Sequence, residues 1–400
     1  MNLYHEFTEI VKQSRDRDLY QLSTLMEEFI CSPEKETASK FLSECFNRKV
    51  KGGVINSAGK IFDNINERSV HTGSAYLLGL HLSSYFQECF NQVLYQDLQK
   101  RFEEVNKNNN MDYASSEMFF EYLWRLACQF HDIGTKSEQK KRPTKLKDIK
   151  YSIFQNFGLD SVDIPQYDAI SSTHPKELVE KYYKYRGQYD HGIAAGIEYF
   201  ELLVKNHIEK WEDYQSCSKG NRMIKDRNET INCFTVNNST TGYRIHFGED
   251  VIRCYAYAAD AIIAHNMWYL NRNTASPDEI YKYESDGLRE LIYDKNCVED
   301  NRISAEEHPL AFYLGFIDSI EPVKFFNGMD SKAVWEMINM EYRQQSNVQY
   351  LVISQNGNKL NFNEWYQKKM KEMSTWLKID PIEEPKDNII RIKLPVLEKV

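Results

Sequence analysis

Residues 116–134 read SEMFFEYLWRLACQFHDIG, an apolar helical pattern that runs directly into a histidine and an aspartate. Its inward-facing residues recur every three or four positions, which predicts an amphipathic helix over 115–131. Adjacent side chains such as His131 and Asp132 can face one point only where the helix unwinds, and Gly134 is expected to supply that freedom as a C-cap. An imidazole nitrogen and a carboxylate oxygen would then offer two ligands to one divalent metal ion.

Length and composition place the chain among ordinary globular proteins. Its 400 residues are 42% hydrophobic and 27% charged, which suffices for one large domain or two smaller ones. A net charge of −9 argues against a nucleic-acid or membrane-surface binder, although metal ions could still hold an anionic substrate locally. The eight cysteines form no CxxC pair, so we expect reduced thiols in a cytoplasmic protein without a membrane span.

The hydrophobic pattern divides the chain into a long helical part and a short mixed part. Apolar residues at helical spacing predict a mainly α-helical domain over 1–345. Glycine and asparagine interrupt short β-like runs within 216–248, which predicts a β-hairpin insertion there. Residues 346–400 are expected to form a small C-terminal α+β unit.

The expected C-terminal unit follows a stretch, 330–344, that is predicted to be helical. Residues 350–354 are predicted to form a strand, and Asn356-Gly357-Asn358 a turn that leads into a return strand over 359–362. An amphipathic helix over 363–377 and a strand over 388–394 complete the prediction.

Further side chains that can bind metal lie on or beside apolar stretches that are predicted to be helical. They are His71, His191, His265 and Asp318. A buried histidine or aspartate needs a polar partner, and a metal ion satisfies several of them at once. Each one alone is more often a hydrogen-bonded core residue than a ligand. Together with His131 and Asp132 they form the ordered set H…HD…H…H…D.

This ordered set resembles the HD-domain metal-dependent phosphohydrolase superfamily. Phe130–Gly134 looks like its HDIG signature, and FIDSIEP at 316–322 looks like its final aspartate segment. The resemblance spans about 65–325 and implies an HD-domain-like helical bundle. It also implies two divalent metal ions, whether Mn, Fe, Mg or Co. One ion would be held by His71, His131, Asp132 and Asp318, and the second by His191 and His265 with Asp132 bridging.

The activity that the resemblance implies is hydrolysis of a phosphoester by a metal-activated water, with Asp132 as a catalytic ligand. The expected substrate is a small nucleotide or cyclic nucleotide, with no membrane or nucleic-acid partner. Two alternatives stay open. The same superfamily contains di-iron oxygenases, and the metal could instead be structural, in a regulatory or binding domain that catalyses nothing.

Basic residues near the predicted ligands are candidates for contact with substrate. Lys136 lies just after the HDIG motif and is a candidate catalytic residue, and Arg142 lies in the basic loop that follows. Lys184 and Arg186 come shortly before His191 and must therefore lie near that ligand. A solvated charged surface is the alternative for each of them.

Overall fold

The fold is mainly helical with small β-sheets, which confirms the predicted fold class at this level. In the computed structural model the described residues are 1–13, 17–49, 68–90, 116–135, 173–187, 190–200, 203, 224–225, 234–237, 244–247, 249–296, 300–345, 348–379, 383–386 and 388–395. No helix in these segments is long and apolar enough to cross a bilayer.

The helices are numbered in chain order. They are α1 (Leu3–Gln13), α2 (Arg17–Cys31), α3 (Lys35–Lys49), α4 (Ser69–Phe90), α5 (Ser116–Phe130), α6 (Lys176–Tyr185), α7 (191–200), α8 (Glu249–Ala264), α9 (Pro277–Ser285), α10 (Pro309–Ile320), α11 (Pro322–Phe325), α12 (Ser331–Met337), α13 (Phe362–Trp365) and α14 (Lys371–Met373). A π-helical turn, Tyr366–Met370, joins the last two.

The strands form three separate sheets. They are β1 (Ile224–Lys225), β2 (Phe234–Asn237), β3 (Arg244–Phe247), β4 (Leu270–Asn271), β5 (Ile292–Tyr293), β6 (Ile338–Gln345), β7 (Val348–Gln355), β8 (Glu383–Lys386) and β9 (Ile389–Lys393). Antiparallel β1, β2 and β3 lie within the predicted insertion and form three strands where a hairpin of two was expected. Strands β4 and β5 pair in parallel.

The C-terminal sheet is antiparallel, in the order β6-β7-β9-β8, and it corrects two predictions. The helix predicted over 330–344 ends at Met337, because the next eight residues all pair with β7. The return strand predicted over 359–362 is also wrong. Asn361 caps a helix there by accepting from the Glu364 backbone amide.

The expected domain boundary after residue 345 falls between the two strands of the β6–β7 hairpin. In β6, Ile338, Met340 and Tyr342 alternate with polar residues, and Ile338 and Met340 are buried. This alternation is typical of a strand with one buried face, and pairing with β7 completes the strand.

Helix α5 lies at the centre of the helical part and contacts α3, α4, α8 and α10. Its fully buried Trp124 packs edge-on against Tyr313 of α10, with the ring centroids 4.9 Å apart. The Trp124 indole also donates to the Tyr76 carbonyl oxygen on α4. These contacts fix the helix that ends at His131 against two others that carry predicted ligands.

The C-terminal residues dock on α10 through a close contact at a glycine. A Cβ atom added at Gly315 would overlap the Trp376 ring and lie 2.7 Å from its Cζ3 atom. The absence of a side chain at Gly315 therefore makes room for the indole that follows α14.

We expect Gly315→Ala to lower the free energy of unfolding by about 1–3 kcal/mol, the usual cost of overpacking a core. The loss should shrink when Trp376→Leu is added, because leucine vacates the space of the overlapping ring. Urea unfolding of both single variants and the double variant measures this coupling. Strictly additive losses would contradict the proposed docking contact.

Candidate metal centre

The six predicted ligand residues converge from five parts of the fold. His71 lies in the first turn of α4, and His131 and Asp132 follow α5 directly. His191 is the first residue of α7, His265 follows α8, and Asp318 lies on α10. Four of the six are buried, and the other two, His191 and Asp318, are 12% and 16% exposed at the edge.

The ligand atoms form two groups that share one carboxylate. Those of His71, His131 and Asp132 lie within 4.8 Å of one another, and so do those of Asp132, His191 and His265. Asp132 Oδ2 is 3.5 Å from His131 Nε2 and 3.8 Å from His71 Nε2. Its other oxygen, Oδ1, is 3.6 Å from His191 Nε2. The two carboxylate oxygens therefore face different histidines.

Asp318 completes the first group. Its Oδ1 atom is 2.9 Å from His71 Nε2 and 3.5 Å from His131 Nε2, and these two nitrogens are 3.3 Å apart. Ligand atoms that bind one ion at about 2.1 Å lie about 3.0–3.5 Å from their neighbours in tetrahedral or octahedral geometry. The separations are thus those of atoms that surround a common cation.

Three of the histidines direct Nε2 toward the other ligands, because their Nδ1 atoms already have hydrogen-bond partners. The Nδ1 pairs are His71 with Glu321 Oε2 at 2.7 Å, His131 with the Cys128 carbonyl at 2.5 Å and His265 with the Ile262 carbonyl at 2.5 Å. A carbonyl oxygen can only accept, so Nδ1 of His131 and of His265 must carry the proton. Nε2 then keeps its lone pair, as a metal ligand requires.

Two buried acceptors in the cluster have no hydrogen-bond partner among the described residues. They are Asp132 Oδ2 and His265 Nε2. An unsatisfied buried polar atom costs about 1–3 kcal/mol, and more when it is charged. A cation between the histidines and Asp132 would satisfy both atoms. The donor set and these unsatisfied atoms therefore fit a pair of metal ions.

Electrostatics keep both carboxylates ionised. Burial raises the pKa of Asp132, but coulombic interactions with His131, Lys324 and Arg68 outweigh burial and hold it well below its usual range. Burial likewise raises the pKa of Asp318. The Lys324 ammonium, which lies 2.8 and 2.9 Å from the two Asp318 oxygens, and the hydrogen bond from His71 hold this pKa far below normal.

The protein environment favours positive charge at His71, at one end of the cluster, and a neutral ring at His265, at the other end. Burial and Lys324 lower the pKa of His71, but its bonds to Asp318 and Glu321 raise it to about 9, so this end attracts positive charge. Burial and the neighbouring histidines lower the pKa of His265 to about 3. Its ring is therefore neutral at neutral pH, with a lone pair available for a metal ion.

Glu321 contacts the predicted ligand His71, and the sequence did not single it out. Besides orienting His71, it accepts from Ser74 Oγ at 2.5 Å, and Ser74 Oγ in turn accepts from Trp335 Nε1 at 3.0 Å. Its spacing of three residues from Asp318, within FIDSIEP, was the available signal, because residues at that spacing share a helix face. A carboxylate that bonds to the other ring nitrogen of a ligating histidine holds the ring in its orientation.

The sequence also did not single out two basic side chains at the cluster, Arg68 and Lys324. Arg68 Nη1 donates to Asp132 Oδ1 at 2.8 Å, and Lys324 contacts both oxygens of Asp318. Arg68 lies one helical turn before His71, which was the available signal. Arg68 and Lys324 are 36% and 26% exposed, so each lies between the buried ligands and solvent.

The glycine of the HDIG motif allows a close approach of another helix, which differs from the C-cap role expected of Gly134. Gly134 is not among the described glycines with positive φ. A Cβ atom there would overlap the His191 carbonyl oxygen and lie 2.6 Å from the Ala195 amide nitrogen. Helix α7 therefore packs directly on the turn at 131–135. This close packing places His191 next to Asp132.

The predicted substrate-binding residues have different outcomes. Lys136 and Arg142 lie outside the described residues. Lys184 is exposed near the end of α6, and the contacts described for the cluster do not include it. Arg186 Nε lies 3.6 Å from Asp190 Oδ2, just before His191, so the structure places this one beside the site.

Comparisons with known proteins identify no relative, because no family model, curated protein or solved structure matches the chain. The geometry of the cluster and its motifs therefore carry the functional argument.

We expect Gly134→Ala to displace α7 and to remove the ion of the Asp132, His191 and His265 group. The first group should keep its ion. Bound Mn²⁺ per chain, measured by titration and elemental analysis, should fall from about two to about one.

Gly315→Ala is the matched control, because its Cβ would overlap the Trp376 ring and not the turn that carries Asp132. This variant should lose stability and keep its metal. Unchanged Mn²⁺ binding in Gly134→Ala, or equal loss in both variants, would contradict the proposed role of Gly134.

Proposed function

We propose that the protein is a metal-dependent phosphohydrolase of the HD-domain type, acting on a small nucleotide or cyclic nucleotide. The observation that carries this proposal is the position of Asp132, whose two oxygens face different groups of histidines. A carboxylate shared in this way is the bridging ligand that a two-metal hydrolytic site needs.

The proposed ligands are nitrogen and oxygen atoms without sulfur, which suits Mn, Fe, Mg or Co. When bound by these residues, two such ions would lower the pKa of a water nucleophile and would offset phosphoryl charge. The protein contributes ligand orientation. Glu321 and backbone carbonyls fix the imidazole rings, and Gly134 admits the helix that carries His191.

Local positive charge supports a phosphoester substrate despite the net charge of −9. Arg68 and Lys324 lie at the partly exposed edge of the cluster, each against one ligand carboxylate. With metal ions offsetting the carboxylate charge, both side chains would be placed to contact a bound phosphate and stabilise its developing charge. Lys136 remains a proposed catalytic residue on the sequence argument alone.

The proposal is tested by phosphate release from a panel of nucleoside phosphates and cyclic nucleotides, with and without Mn²⁺. We expect metal-dependent turnover that a chelator abolishes. Oxygen consumption by iron-loaded protein without phosphate release would favour the oxygenase alternative. Bound metal without turnover of either kind would favour the structural one.

Asp132→Ala and His265→Ala should differ in a defined way. Asp132→Ala removes a ligand from both groups, so we expect loss of turnover and of both ions. His265→Ala should lose mainly the second ion, because His71, His131 and Asp318 stay in place. Metal per chain and phosphate release measure the difference.

His81→Ala is the control for these variants. His81 also lies on α4, but it faces Glu6, with His81 Nδ1 3.8 Å from Glu6 Oε2. This variant should keep both ions and full turnover. Full activity in Asp132→Ala would end the catalytic assignment, and equal metal loss in Asp132→Ala and His265→Ala would remove the bridging role.

A further inference from the structure

An exposed tryptophan lies next to the second group of ligands. Trp268 follows His265 by three residues and is 42% exposed, although most large apolar side chains of the described chain are buried. Exposure of an indole costs hydrophobic free energy, and tryptophan is enriched where a protein meets a ligand. This exposed ring therefore lies within three residues of a ligand of the candidate metal centre.

Three hydrogen bonds hold Trp268, two at its backbone and one at its indole ring. The Trp268 backbone amide donates to the Tyr182 hydroxyl at 3.1 Å, and its carbonyl accepts from the Tyr283 hydroxyl at 3.3 Å. The ring nitrogen Nε1 donates to Asn266 Oδ1 at 2.8 Å. One edge of the ring is thus tied down while much of the side chain stays exposed. A ring fixed in this way loses little entropy when a ligand stacks on it.

The same asparagine connects this ring to the ligands. Asn266 Nδ2 donates to Asp190 Oδ2 at 2.9 Å and lies 3.4 Å from His191 Nδ1. Asp190 is fully buried and caps α7 by accepting from the Ile193 amide at 3.0 Å. A single amide therefore positions Trp268 relative to His191.

A guanidinium lies against the same network. Arg186 Nε is 3.6 Å from Asp190 Oδ2, and the side chain is 39% exposed. Asp190 and Asn266 thus place a partly exposed cation and an aromatic ring at one edge of the site. A cation suits a phosphate, and an aromatic ring suits a planar base.

We propose that Trp268 is the stacking surface for the base of a nucleotide substrate, with Arg186 beside it to contact phosphate oxygens. The inference rests on the proposed function and names how that site recognises its substrate class. Because every base has a π face, stacking on Trp268 favours nucleotides over phosphoesters without a base and discriminates little among bases. Trp268 is a specificity-determining residue in this account.

The test compares Trp268→Ala and Trp268→Phe on two kinds of probe, 5′-nucleoside phosphates and ribose 5-phosphate. Calorimetric titration of the Mn²⁺-loaded protein gives dissociation constants, and phosphate release gives KM and kcat. Trp268→Ala should weaken nucleotide binding about 5- to 150-fold, the range for loss of one base–aromatic stack. It should affect ribose 5-phosphate far less. Trp268→Phe should restore most of the nucleotide affinity.

Tyr281→Ala is the matched control, because Tyr281 is an aromatic residue of α9 that is 73% exposed. This variant should bind both probes with unchanged dissociation constants. Mn²⁺ per chain must also stay constant in Trp268→Ala, which excludes an indirect effect through Asn266 and His191. Equal weakening of both probes, loss of Mn²⁺, or no change would overturn the inference.

The two proposals fail differently. If nucleotides bind in a Trp268-dependent way but no phosphate is released, the hydrolase proposal is wrong and the stacking surface stands. If phosphate is released and Trp268→Ala acts equally on both probes, the hydrolase proposal stands and the stacking surface is wrong.

Discussion

The structure depends on one carboxylate placed between two sets of histidines. Asp132 is buried, its pKa is held far below normal by surrounding positive groups, and each of its oxygens faces a different group. A buried charge of this kind is stable only if it is paired. The residues that pair with Asp132 where these helices meet therefore also form the candidate metal site.

Close helix packing makes this convergence possible. Helix α7 lacks side chains where it approaches its neighbours. A Cβ at Gly192 would lie 2.7 Å from Asn266 Cβ, and one at Gly196 would lie 2.8 Å from the Ala259 carbonyl oxygen. With Gly134 opposite, these glycines allow α7 to lie directly on α8 and on the HDIG turn. His191 and His265 reach one point because the backbones are this close.

The sequence predicted the convergent residues through their order, but not the partners that orient them. Glu321 and Asn266 act through contacts across the fold, and no local periodicity marks such contacts. The strand β6 is a different case, because Ile338, Met340 and Tyr342 alternate with polar residues and this strand signal was present in the sequence. Gly134 was recognised as essential for the turn, but its role is set by α7, which is distant in sequence.

Anomalous diffraction from crystals grown with Mn²⁺ tests the central claim most directly, because it locates the ions without reference to activity. The account predicts two peaks. One should lie among His71, His131 and Asp318, the other beside His191 and His265, and both should be bonded to Asp132. No peak at the cluster, or a single ion that does not contact Asp132, would contradict the account.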